Sequence, residues 1–236
     1  MKDNKLGQEL TYHNDRTAEV LSRWEEALKD RKVRLGINEH SFRGRDLVIT
    51  VTNLKRRKVL AVLPDDRQAT LRQFLVKIPE SIKRKIEEVF GDIKPAFIMV
   101  TEEELPETNI VIDRFHVVHD ANRQVDEARR IEQEATRKPI PKYLILKAEE
   151  RLTDKQRQGL DHYLTLYPSL REWYRAKEQL RRIYWAESEE KARELLFSLI
   201  RCQEASDNAA MNNWGRRLSR WQEYILNYFN HRTTNV

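Results

Sequence analysis

The residues best placed to do chemistry stand where an apolar run stops: Asn109-Ile110-Val111-Ile112-Asp113, then Arg114-Phe115-His116-Val117-Val118. The unbroken apolar residues before Asp113 predict a buried strand, and the polar periodicity from Asp120 onward predicts a helix. A buried strand that ends in a carboxylate presents acid chemistry. The same aspartate is also favoured as the cap of a following helix, where it satisfies free backbone amides. His116 and His119, three apart and near Asp120, have the spacing of a metal pair on one helix face. No third ligand stands at a diagnostic spacing, so a place at the sheet-helix junction accounts for them. A second group is basic: Arg123, Arg129, Arg130, Arg137, Lys138, Lys142, Lys147 and Arg151, then Arg171, Arg175, Arg181, Arg182, Arg216, Arg217 and Arg220. Phosphate contact is one reading of it. Solvated helix faces are the other, because Glu127, Glu132, Glu134, Glu178, Glu189 and Glu190 are interleaved.

The elements that must position these groups begin with a polar lead over residues 1–31. Val20, Leu21, Trp24, Ala27 and Leu28 recur there at helical spacing. Three runs then predict strands: Val33 to Glu39, Asp46 to Thr52 and Lys58 to Leu63, the last two joined as a hairpin. Asp65 to Ile78 reads as a helix with Leu71, Phe74, Leu75 and Ile78 on one side, ended by Pro79. Ile82, Ile86, Val89 and Phe90 sit at helical spacing. Ile98 to Leu105 is expected as a helix, and Pro106-Glu107-Thr108 as a turn into the strand at 109–113. The alternation of strands and helices implies parallel pairing in this half of the sheet.

From Phe115 onward the chain reads as helix. Thr153 with Gln156, and Ser169 with Glu172, have capping-box spacing. Pro168 separates two helices, and Ala186-Glu187-Ser188 another pair. Trp214, Leu218, Trp221, Ile225 and Tyr228 form a seam at spacings of four and three, as a bundle core requires.

Of 236 residues, 44 are Lys or Arg and 38 Asp or Glu, a formal net charge of +6 that permits a polyanionic partner without requiring one. The single Cys202 excludes an intramolecular disulfide and a cysteine-rich zinc site, and is expected in a helix as a small apolar residue. No apolar run approaches bilayer-spanning length and no signal-peptide core is present, so a cytoplasmic protein without a membrane partner is expected.

Three phrases, in order and with a long helical stretch after the third, resemble the insertion-sequence transposases of the ISL3 type, which use DDE chemistry. They are Gly36-Ile37-Asn38-Glu39, Gly91-Asp92-Ile93-Lys94-Pro95-Ala96-Phe97 and Asp113-Arg114-Phe115-His116-Val117-Val118. The resemblance covers roughly residues 33–235. It implies an α/β fold with a ribonuclease H-like core, which begins with three antiparallel strands and a helix, and an all-α insertion domain. On that frame residues 1–31 are a helical lead, 32–118 a partial catalytic core and 119–236 the insertion domain. The family's full-length DNA-binding modules, a zinc element and a helix-turn-helix, are not recognisable here. The resemblance also implies a short strand closing at Asp92, against the helical spacing before it, and this reading is adopted for the last few residues only.

In the family, three carboxylates hold two Mg²⁺ ions for phosphoryl transfer. The resemblance puts Asn38 at the first position, where an aspartate is expected, and Asp92 at the second, as a metal ligand. A neutral amide oxygen accepts a hydrogen bond but lacks the charge that holds Mg²⁺, and Glu39 points to the other strand face. Phe229 to Asn235 resembles the run that precedes the third carboxylate, with no glutamate after it, so the chain reads as truncated there. Expected from this are no tightly held Mg²⁺ and no cleavage by the chain alone. Transposon-end DNA is the expected partner, met through Arg129, Arg130, Lys138, Lys142, Arg181, Arg182, Arg216 and Arg217, with a homodimer or a full-length transposase as a protein partner. The roles open are a DNA-binding or regulatory remnant, a split transposase completed by a second polypeptide, and a helical scaffold without a nucleic-acid role.

Overall fold

A computed structural model describes Trp24 and residues 29–43, 46–92 and 94–232. The helix expected around Val20 to Leu28 lies outside these residues except for Trp24, which is buried against Phe74 with ring centroids 6.1 Å apart. Two compact units divide the chain, one ending at Asp113 and the other running from Arg114 to Arg232.

The first unit is built on a five-stranded sheet in the order β3-β2-β1-β4-β5. Its strands are β1 (Val33–Arg43), β2 (Asp46–Asn53), β3 (Lys58–Leu63), β4 (Ile86–Gly91) and β5 (Asn109–Ile112). β1, β2 and β3 pair antiparallel, while β4 and β5 join parallel to β1. Alternation fixes the faces: Val33, Leu35 and Ile37 of β1 are buried with Ile49 and Val51 of β2 and Val89 of β4. Leu71 and Leu75 of α1 (Gln68–Val76), Ile82 of α2 (Glu80–Lys83) and Phe97 and Val100 of α3 (Pro95–Glu104) complete that core. The β2-β3 hairpin is closed by Asn53, whose Oδ1 accepts from Arg56 N at 3.1 Å, and by Arg57 in the left-handed region at φ 54°.

The four apolar residues expected to divide between helix and strand divide early. Ile82 belongs to α2, and β4 takes Ile86, Val89 and Phe90. Ile86, Glu88, Val89 and Phe90 are all buried, so this interior parallel strand shows no period of two that could have announced it. α3 begins three residues before the expected Ile98 because Pro95 occupies its first turn, where a missing N–H costs nothing.

The second unit is helical: α4 (Arg114–Thr136), α5 (Lys142–Leu146), α6 (Asp154–Leu166), α7 (Pro168–Ile183), α8 (Glu189–Glu204), α9 (Ala209–Leu226) and α10 (Tyr228–His231). The boundary expected at 118–119 falls inside α4. Thr153 and Gln156 form a reciprocal capping box at α6. Ser169 does not cap: α7 starts one residue earlier with Pro168 in its first turn, which leaves Ser169 inside the helix. Ser188 caps α8 and Asn208 caps α9, where its Oδ1 accepts from Ala210 N and Met211 N. α8 and α9 approach so closely at Gly215 that a Cβ there would meet Glu204 N at 2.8 Å. Of the expected seam, Trp214, Leu218 and Ile225 are buried in α9, whereas Tyr228 is buried from α10. Trp221 is half-buried, with the Arg217 guanidinium 5.5 Å from its ring. Among the described residues no helix is long and apolar enough to cross a membrane.

Candidate carboxylate corner and nucleic-acid interface

β1, β4 and β5 share one register: Ile37 pairs with Gly91, and Gly91 with Ile112. One step further along the three lines stand Asn38, Asp92 and Asp113. Residues at one level of parallel strands project to the same face, so these groups form a row at the carboxyl ends of β4 and β5, beside the middle of β1. Asp113 N–H donates to Gly91 O at 3.3 Å, one rung beyond β5, and Asp113 is 3% exposed. Asn38 and Asp92 are half-buried. The Asn38 backbone oxygen accepts from Thr50 Oγ1 at 3.3 Å, while its side-chain Oδ1 is buried and accepts no hydrogen bond among the described residues.

Glu39 projects to the opposite face. There it pairs with Lys94 Nζ, which also reaches Asp66 Oδ2 at 2.9 Å and lies 5.2 Å from the centre of the Phe97 ring. Desolvation lowers the Lys94 pKa below the usual lysine range. Sequence reading missed this cluster, because Lys94 and Asp66 carry no motif of their own and meet Glu39 only through the fold.

A pair of divalent cations needs carboxylates whose charge approaches its own. The row offers a neutral amide at the position where the resemblance expects the first aspartate. Among the described residues, no group of three or more His, Cys, Asp or Glu side chains is disposed to hold a metal. The unpaired Asn38 Oδ1 suits a hard cation as an oxygen donor, but these residues do not fit a two-ion Mg²⁺ centre. His116 and His119 lie on α4 near Phe115, at 5.4 and 6.0 Å between ring centroids, and form no such group among the described residues either.

The same face carries Glu88, fully buried and level with Arg34, whose Nε lies 3.4 Å from its carboxylate. Burial pushes the Glu88 pKa up from 4.5 to about 7.

The eight basic residues expected to meet DNA all lie in the helical unit, and most have acidic partners there. Arg129 is buried: Nε donates to Asp126 at 2.7 Å, and Nη1 to Gln133 Oε1 at 3.0 Å and Ile140 O at 3.3 Å. Its guanidinium is bonded inside the unit. Asp126 also draws Arg130 (3.4 Å) and Lys142 (3.1 Å), though both are largely exposed. Arg181 pairs with Glu150 and Glu178, Arg182 with Glu149 at 2.7 Å, and Arg217 with Asp120 at 3.1 Å. Asp120 also accepts from Trp214 Nε1 at 2.9 Å, joining α4 to α9. Lys138 and Arg216 are exposed and form no ion pair among the described residues, as do Arg175 and Arg220. Arg216 and Arg220, four apart on α9, share one helix face.

A buried charge that no motif announced is Lys177. Its Nζ donates to Ile145 O at 3.1 Å and Lys147 O at 3.2 Å, pairs with Glu178 at 2.8 Å, and stacks 4.2 Å from the centre of the Tyr174 ring. Cys202 is in a helix as expected, exposed on α8.

Comparison with known proteins gives two matches. Residues 35–236 match the model of the ISL3-type DDE family, described as transposase. The chain is also similar to the transposase for insertion sequence element IS1001 of Bordetella parapertussis, with 27% identity over 179 residues. That match takes in 72% of this chain and 44% of the relative, so the chain spans less than half the length of the relative it matches.

Proposed function

Since this chain belongs to the ISL3-type family of DDE transposases, we propose that it engages transposon-end DNA and, as a lone chain, does not cut it. The observation that carries this reading is Asn38: its place beside Asp92, with a buried and unpaired amide oxygen, puts a neutral group where strand cleavage needs charge. We read the sheet as a ribonuclease H-like core, supported by the strand order β3-β2-β1-β4-β5 with its antiparallel and then parallel halves. The helical unit is then the insertion domain.

DNA binding draws on the exposed cations that have no acidic partner among the described residues, Arg216 and Arg220 on α9 with Arg175 and Lys138. Such contacts meet phosphates, so affinity falls steeply with salt and depends weakly on sequence. A regulatory role follows, in which the chain occupies transposon ends or pairs with a complete transposase or a second copy. The extensive pairing of the other basic residues favours a second reading, a helical scaffold without a nucleic-acid role.

The two part in a binding titration on transposon-end duplex in EDTA across salt. The proposal expects log K to fall linearly with log salt, and Arg216→Ala with Arg220→Ala to shallow the slope by about two. Salt-independent or undetectable binding favours the scaffold.

A further inference from the structure

We infer that the end of the sheet where β1, β3 and β4 begin is a second nucleic-acid surface, which holds the phosphodiester backbone of a duplex irrespective of its sequence. It goes beyond engagement of transposon ends, since it needs neither that sequence nor the helical unit. The fold assembles it from stretches far apart in the chain: residues 29–34, the β2-β3 turn at 53–58, and residues 80–88. Val33 N donates to Lys85 O at 2.7 Å and Leu54 N to Arg34 O at 2.9 Å. Asp30 ties the first stretch to the turn through Arg56 at 2.6 Å and Lys55 at 3.6 Å. Together the stretches contain eleven Lys and Arg against four Asp and Glu, an excess of seven where the whole chain has six. The net positive charge of the molecule therefore resides in them.

Lys29, Arg31, Arg57 and Arg84 are exposed and form no ion pair among the described residues. Exposed Lys32, Lys55 and Lys58 stand beside them. The four acids are already engaged: Asp30 with the turn, Glu80 with Lys83 at 3.4 Å, Glu87 with Lys32 and Arg34, and Glu88 with Arg34 at 3.4 Å. Arg57 has φ 54°, a left-handed conformation that glycine or asparagine adopts at less cost, and Asn53 Oδ1 fixes the turn by accepting from Arg56 N. An arginine there puts charge on a rigid tip. Other acids at this end keep to the β5 edge: Glu102, Glu103, Glu104 and Glu107 stand between the close of α3 and β5, and Arg72 pairs with Glu103 and Glu104. An anionic partner therefore meets the β3-β2-β1-β4 side. Those four strand ends span about 15 Å, and a duplex with a charge roughly every 1.7 Å sets several phosphates against them. Asn38 lies about 16 Å from Val33 at the usual strand rise, so this surface is separate from the carboxylate corner. Val59 is the one large apolar side chain exposed beside the turn among the described residues, whereas a lipid-binding surface adds several such side chains to its cations.

The test is binding of the full chain to a short fluorescein-labelled duplex of arbitrary sequence, followed by anisotropy in EDTA across salt. Lys55→Gln with Arg57→Asn removes two charges and keeps a residue that tolerates the left-handed turn. The slope of log K against log salt should become shallower by about two, and affinity at low salt should fall by about tenfold or more. Arg31→Gln with Arg84→Gln should act alike. Lys155→Gln with Arg201→Gln, both exposed in the helical unit, takes away the same charge and should leave the slope unchanged. Circular dichroism confirms folding of each variant, and if the turn variant fails to fold, the Arg31 and Arg84 pair decides. An unchanged slope in a folded variant, equal shallowing in the helical-unit control, or retention on phosphatidylserine vesicles without duplex binding overturns the surface. Because Arg216→Ala with Arg220→Ala is titrated separately, the α9 contacts and this surface can fail independently.

Discussion

Asn38 and Glu39 are neighbours on one strand, yet the two faces they serve are settled differently. On the Glu39 side Lys94 lies between Glu39 and Asp66, so these three charges close on one another. On the Asn38 side Asp92 and Asp113 are brought to one level beside a neutral amide whose oxygen accepts no hydrogen bond among the described residues, and Glu88 is buried further along with Arg34, Glu87 and Lys32 near it. The difference teaches where a ligand belongs. A face whose charges pair among themselves is structural, and a face that keeps a neutral amide oxygen without a hydrogen bond is the one where a ligand would add most.

The sharpest way to break that comparison is pH. Glu88 has its pKa raised to about 7 by burial, so the folded chain holds its proton more tightly than the unfolded chain does. The stability this proton contributes is therefore full below about pH 4.5 and is lost as pH rises through 7. Between pH 5 and 8 the free energy of unfolding in denaturant should fall by up to about 3 kcal/mol more in the native chain than in Glu88→Gln. Equal pH dependence in the two would show that the Glu88 side is as closed as the Glu39 side.

A smaller effect is expected on that closed side. Lys94→Met leaves Glu39 and Asp66 without their shared cation, but the cluster is partly exposed, so solvent screening holds the loss to about 1 kcal/mol at neutral pH. A loss of several kcal/mol would mean that the cluster is a buried network.

Much of this contrast was legible in the sequence and part of it was not. Lys58–Leu63 was foreseen with its bounds, and the strand closing before Asp92 was expected because the local phrase outweighed the helical spacing of Ile82 and Ile86. The length of β4 was hidden, since an interior parallel strand buries both faces and loses its alternation. Thr153 was read correctly as a cap. Ser169 was not, because Pro168 in the first turn fixes the start of α7 one residue earlier. At the candidate site, Asn38 and Asp92 were singled out through wording alone. Their level alignment with Asp113 depends on register, which no single strand encodes. The basic residues were equally visible, but Arg129 could be recognised as an internal strut only once Asp126, Gln133 and Ile140 were seen around it.

The most direct test of the account is strand cleavage of transposon-end DNA by the unaltered chain with Mg²⁺ or Mn²⁺, under conditions where binding is saturated. The account predicts bound DNA that stays intact, with Asn38→Asp as the companion that reports whether restored charge changes the outcome. Metal-dependent cleavage by the unaltered chain would contradict it, because it would require a neutral Asn38 to serve where a carboxylate is needed.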